Sequence, residues 1–253
     1  MMHHVPQANA GQAHKDSTVY SGEQNSESDD GHASQIQYVE AKRISIPKAP
    51  GMPKEWYAIA HEANPEQFEH WDENKWPAKL CFVQENGKTE QKCFEAVATG
   101  RSLGPCQYVG ELSVVPIFKH KYPQTGVLFL SISSYGGSGA LHLMTLWVFD
   151  ENAKEFANIL PEITFSELGE YKILQGVGDA LDGTLVVADW TYEEGEGHFS
   201  PHKYRITIYQ YDQTDKRFEL RGEYCTKTKY AEEPVNVISQ EIENIQESIL
   251  SKK

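Results

Sequence analysis

Gly126-Val-Leu-Phe-Leu-Ser-Ile-Ser-Ser-Tyr135 opens the pattern that decides the fold. It continues through Gly136-Gly-Ser-Gly-Ala140 into an apolar run that ends Phe149-Asp-Glu-Asn-Ala-Lys-Glu-Phe156. The pattern returns as Gly183-Thr-Leu-Val-Val-Ala-Asp-Trp-Thr-Tyr192, then a loop, then a run ending Tyr211-Asp-Gln-Thr-Asp-Lys-Arg-Phe218. The offset is 57 residues before the loop and 62 after it, so the second copy carries five more residues in its loop. A fainter third copy of the closing hairpin is Phe82-Val-Gln-Glu-Asn-Gly-Lys-Thr-Glu-Gln-Lys-Cys-Phe94. Each copy reads as strand, turn, strand, with an aromatic residue at each shoulder. Repeats of this length build stacked or radial β-sheets.

Outward from that core, Gly and Asn/Asp punctuate further strands at hairpin spacing. They span 36–46, 78–83, 91–97, 107–118, 127–134, 141–149, 171–175, 184–192, 204–211 and 218–226. Arg205-Ile-Thr-Ile-Tyr-Gln-Tyr211 alternates as a half-buried antiparallel strand does. Pro53 to Ala63 reads as a short helix, because proline suits a first turn and Trp56, Ile59 and Ala60 share a helical face. A second helical turn is expected after Pro65, with Phe68 and Trp71. Ile238, Ile242, Ile245 and Ile249 predict an amphipathic helix over 237–250 that docks on the sheet. Residues 1–35 hold few large apolar side chains and read as a disordered tail. The expectation is an all-β chain, an antiparallel meander with an internal repeat that forms a partial propeller or a sandwich. One β-rich domain spans 36–253, with a short N-terminal helix and a C-terminal amphipathic helix.

Gly178-Asp179-Ala-Leu-Asp182-Gly183-Thr184-Leu-Val-Val is similar to the Asp-Gly-rich hairpins of β-propeller blades of the FG-GAP/VCBS type. The resemblance spans about 110 residues of this chain. It implies radial four-stranded blades and a cation-binding loop. That family uses a denser Asp-x-Asp-x-Asp-Gly loop, whereas this chain has only Asp179 and Asp182 there.

The 253 residues carry 37 Asp and Glu against 23 Lys and Arg, a formal charge of −14. That sign disfavours nucleic acid, whose phosphates need clustered Lys and Arg. No apolar run approaches the roughly 20 residues a transmembrane helix needs. No signal peptide is visible at the N-terminus. Cys81, Cys93, Cys106 and Cys225 permit two disulfides in three connectivities. Cys81 and Cys93 flank the Asn86-Gly87 turn and fall near cross-strand register. An oxidising compartment, periplasmic or secreted, is expected.

The most unusual stretch is the loop Glu193-Glu-Gly-Glu-Gly-His-Phe-Ser-Pro-His202, where the five extra residues of the second copy fall. Elaborated loops carry binding function. Glu193, Glu194, Glu196, His198 and His202, flanked by Tyr192 and Phe199, form the candidate partner surface. Carboxylates and imidazoles also suit divalent metal, so Asp179, Asp182, His198 and His202 are candidate ligands for Ca²⁺ or Zn²⁺. Exposed rings in this loop would suit a protein interface or a carbohydrate stacking platform. Gly136-Gly-Ser138-Gly-Ala140 is close to a nucleophile elbow, with Asp150, Asp179 or Asp182 and then His198 or His202 in the order acid, base. An elbow needs a helix next, and Leu141–Phe149 reads as a strand.

No catalytic constellation is complete, and no cofactor is predicted. The sequence therefore points to a non-catalytic extracytoplasmic binding protein, with a protein as its partner and neutralisation of that partner as one form of action. A metal-dependent or serine hydrolase and a structural envelope protein are the alternative classes.

Overall fold

Three antiparallel meanders follow one another along the chain in the computed structural model. It describes residues 37–48, 51–52, 55–64, 76–84, 90–99, 104–118, 124–133, 140–166, 168–178, 180–197, 200–231 and 236–251. The expected N-terminal tail and the helical turn after Pro65 lie outside them.

The first sheet runs in the order β1 (Tyr38–Ile46), β2 (Trp56–Ala63), β3 (Lys79–Gln84) and β4 (Glu90–Glu95). A two-stranded ribbon of β5 (Val97–Ala98) and β6 (Gly104–Pro105) leads to the second sheet. That sheet places β7 (Tyr108–Phe118), β8 (Gln124–Ile132), β9 (Leu141–Asp150) and β10 (Glu155–Asn158) side by side. β11 (Ile163–Ser166) pairs with Leu141–Met144 of β9, while β10 pairs with Trp147–Asp150, so two short strands share one edge. The third sheet comprises β12 (Glu170–Ile173), β13 (Leu185–Thr191), β14 (Lys203–Asp212) and β15 (Arg217–Cys225). α1 (Val237–Gln240) and α2 (Ile242–Leu250) follow. All these elements belong to one compact unit, Ile36–Lys253.

The segment read as an N-terminal helix is strand β2. Trp56, Ala58 and Ala60 are buried on one face, and β1 and β3 pair along both its edges. A short Ala-rich run suits either period, and pairing with two neighbours outweighs local helix propensity. The C-terminal helix divides at Glu241, yet its stripe behaves as expected. Ile238, Ile245 and Ile249 are buried against the third sheet. Asn236 caps α1 by accepting the Ser239 amide at 2.9 Å.

The sheets pack face to face. Trp56, Phe82, Phe129, Trp147 and Phe156 fill the space between the first and second. The Phe82 and Phe156 rings stack there at 3.9 Å and 6°. Leu128, Met144, Leu146, Leu185, Val187 and Phe218 fill the space between the second and third. On the other face of the third, Val186, Ala188, Ile206 and Ile208 meet the helices. β8 and β13 thus bury both faces, which explains their unbroken apolar runs.

Carboxylates tie these layers together. Glu62 on β2 accepts the Val109 amide of β7 at 2.5 Å. Glu111 on β7 accepts the Tyr171 hydroxyl of β12 at 2.5 Å. Glu170 on β12 accepts the Ile238 amide of α1 at 2.6 Å. Further bonds cross between sheets: Lys42 Nζ of β1 donates to the Gly110 carbonyl of β7 at 2.6 Å, and Gln175 Nε2, just beyond β12, donates to the Pro116 carbonyl of β7 at 2.6 Å.

The closing hairpins share one construction. At the β9–β10 turn, Asp150 Oδ1 accepts the amides of Asn152 and Ala153, at 2.7 and 3.2 Å. At the β14–β15 turn, Asp212 Oδ1 accepts the amides of Thr214 and Asp215, at 2.8 and 3.1 Å. An edge-to-face aromatic pair braces each: Phe149 with Phe156 at 5.5 Å and 70°, Tyr211 with Phe218 at 5.7 Å and 71°. Phe82 and Phe94 repeat that geometry in the first sheet at 6.2 Å and 71°.

Cys81 and Cys93 face each other across β3 and β4, with their sulfurs 1.94 Å apart. The other two candidates do not pair. Cys106 is buried in the first core, and Cys225 is exposed at the end of β15, in a different sheet.

Candidate functional site

The β13–β14 connection starts from the cross-strand pair Thr191 and Lys203 and carries the candidate loop. Its far end is fixed by His202, whose backbone exchanges two hydrogen bonds with Tyr230, at 2.9 and 2.8 Å. The imidazole is buried at 1% exposure, edge-on to Trp190 at 4.7 Å and to Tyr192 at 5.4 Å. Its Nδ1 lies 3.5 Å from Glu196 Oε2. Tyr192 leans on Trp190 at 4.6 Å and remains 50% exposed.

Two lysines clamp the acidic side chains. Glu193 Oε1 lies 2.7 Å from Lys203 Nζ, and its Oε2 lies 2.8 Å from Lys229 Nζ. Lys229 also bonds Glu196. Glu196 in turn accepts the Glu193 amide at 2.9 Å. The charge-assisted bonds from Lys203 and Lys229 hold the Glu193 carboxyl down to about 2. Lys229 likewise lowers Glu196, and Glu193 followed by Glu196 raises Lys229. Glu193 and Glu196 therefore stay ionised, with their charges offset by Lys203 and Lys229. Among the described loop residues Tyr192, Glu193, Glu194, Gly195 and Gly197 are exposed, and Glu194 is the exposed carboxylate outside the clamp.

Behind Tyr230 sits a buried carboxylate that sequence reading missed. Glu241, 3% exposed, accepts the Tyr230 hydroxyl at 2.5 Å, the Tyr224 hydroxyl at 3.1 Å and Asn244 Nδ2 at 2.8 Å. Burial and this carboxylate push the Tyr230 hydroxyl up to about 12 and raise Tyr224 as well. Backbone pairing then carries the anchor from the helical segment through Tyr230 to His202 and the loop.

Of the candidate residues, Glu193, Glu196, His202 and Tyr192 come together, with Glu194 beside them. His198 and Phe199 lie outside the described residues, as do Asp179 and Ser138. Asp182 Oδ1 accepts the Gly176 amide at 3.1 Å and closes a turn. The element after the Ser138 segment is strand β9, so the helix that an elbow requires is replaced by a strand. Among the described residues no group of three or more His, Cys, Asp or Glu side chains is assembled for a metal. The clamp lysines were also missed. Lys203 adjoins the loop, but Lys229 reaches it only through the pairing of Tyr230 with His202. No family model, no curated protein and no solved structure matches the chain.

Proposed function

We propose that this is a non-catalytic binding protein that engages a protein partner through the β13–β14 loop. The observation that carries the reading is the clamp: Lys203 and Lys229 hold Glu193 and Glu196, so Tyr192 and Glu194 are presented from an ordered frame. A preorganised aromatic and acidic surface loses little entropy on association, and an exposed tyrosine is a frequent anchor in protein interfaces. The cross-strand cysteine pair supports action outside the cytoplasm. The matching hairpins and the contacts between first strands support a partial propeller, with each four-stranded meander as one blade.

Affinity capture with the full chain tests the interaction. Wild type should retain a partner from extracytoplasmic fractions of its source that Tyr192→Ala with Glu194→Lys does not. Equal recovery by the folded double variant removes this surface from consideration.

A further inference from the structure

The two matching turns border one cavity. The β9–β10 turn contributes one wall and the β14–β15 turn another of an open cleft of about 460 Å³. That volume lies within the range of small-molecule sites. Half-buried Phe149 and Tyr211 supply aromatic surface. Asp150, Asn152, Gln213 and Gln124 supply polar groups beside them. The turn amides occupy Oδ1 of Asp150, and Oδ2 takes no hydrogen bond from the described chain. Nor do the side chains of Asn152, Gln213 and Gln124 find a partner among the described residues. Glu151 and Lys216 complete the rim with opposite charges.

The lining decides which ligand fits. A phosphate would meet two carboxylates and a single lysine, so its charge is opposed. A purely apolar ligand would desolvate amides and carboxylates without replacing their hydrogen bonds. A pyranose ring matches both halves: its C–H faces pack on aromatic rings, and its hydroxyls both donate and accept. The amides of Asn152 and Gln213 do likewise, and the free Asp150 oxygen accepts. The geometry points to a saccharide-binding site in this cavity, with an uncharged pyranose ring against Tyr211 and Phe149 and its hydroxyls bonded to Asp150, Asn152 and Gln213. The site is separate from the Tyr192 loop, because the ten residues of β14 place Lys203 and Asp212 about 30 Å apart.

Saturation-transfer NMR on the full chain, with methyl glycosides of glucose, mannose and N-acetylglucosamine and their linear trisaccharides as probes, tests the assignment. At least one probe should receive saturation. Its affinity should fall about tenfold or more in Tyr211→Ala and in Asn152→Ala with Gln213→Ala, and persist in Tyr211→Phe. The paired surface variant guards against misfolding of Tyr211→Ala, whose ring braces Phe218. The assignment is overturned if no probe receives saturation, if binding survives the paired variant, or if Tyr192→Ala abolishes it while the paired variant does not.

Discussion

Lys154 and Lys216, 62 residues apart in the chain, take the same left-handed backbone conformation, with φ of 58° and 52°. Each stands four residues after the aspartate whose carboxylate organises its turn. They are the non-glycine residues with positive φ among those described. The cost of that conformation is repaid by the paired amides and the aromatic brace beside them.

This equivalence predicts that the turns are interchangeable. Replacing Asp212-Gln-Thr-Asp-Lys-Arg217 by the sequence of Asp150–Glu155 should leave stability within about 1 kcal/mol of wild type in urea unfolding. Lys154→Gly relieves the left-handed strain but adds unfolded-state entropy, so its change should stay under about 1 kcal/mol. Asp150→Ala should destabilise by about 1 kcal/mol, because two backbone amides lose their acceptor at an exposed turn.

Glu241 predicts a larger effect. Glu241→Ala removes the acceptor of three donors in a buried setting and should cost about 2–4 kcal/mol. Hydrogen exchange should show α2 losing protection first, since this carboxylate is part of what holds it to the third sheet. Glu241→Gln, which keeps one acceptor, should recover part of the loss.

The clamp predicts a pH signature. Glu193 is held at about 2 against an ordinary value of 4.5, so its folded state favours the ionised form. Its stabilisation is then fully present above about pH 4.5 and is lost as pH falls toward about 2. The difference in urea midpoint between wild type and Glu193→Gln should follow that window and close at its acid end. Lys229→Met should shift the closure to higher pH, because one of the two stabilising cations is gone.

Thiol chemistry checks the cysteines. In native protein without reductant, Cys225 alone should react with a thiol reagent. Cys106 should react only after unfolding, since burial keeps it covered and raises its thiol. Cys81 and Cys93 should need a reductant. Cys81→Ala with Cys93→Ala should cost about 2–3 kcal/mol, as expected for closing a short loop.

Local pattern carried most of the architecture. Alternation marked β14, and unbroken apolar runs marked β8 and β13, because burial on one face or on both writes itself directly into residue order. The aromatic shoulders located the closing hairpins for the same reason, since cross-strand neighbours stand at short, fixed separations. The Asn86-Gly87 signal pointed to cross-strand register for Cys81 and Cys93, which the pairing of β3 with β4 places opposite each other, and the isoleucine stripe announced the helical end. Gly126 and Gly183, 57 residues apart, open comparable strands, yet they serve different needs. A Cβ on Gly126 would come within 2.8 Å of Leu146, whereas Gly183 has a φ of +76°.

Tertiary structure decided the rest. Whether Trp56–Ala63 is helix or strand depended on β1 and β3, which local sequence cannot supply. The cysteine count permitted a second bridge, but the fold buries Cys106 in the first core between β6 and β7 and puts Cys225 at the end of β15 in the third sheet. The acidic loop was visible by composition, but the cations that pair with it were not. Lys229 pairs with it from 33 residues beyond Glu196, and Glu241 anchors it from the helical segment. Electrostatics acts through space, so a carboxylate's partner is set by where strands and helices dock and not by its neighbours in the chain.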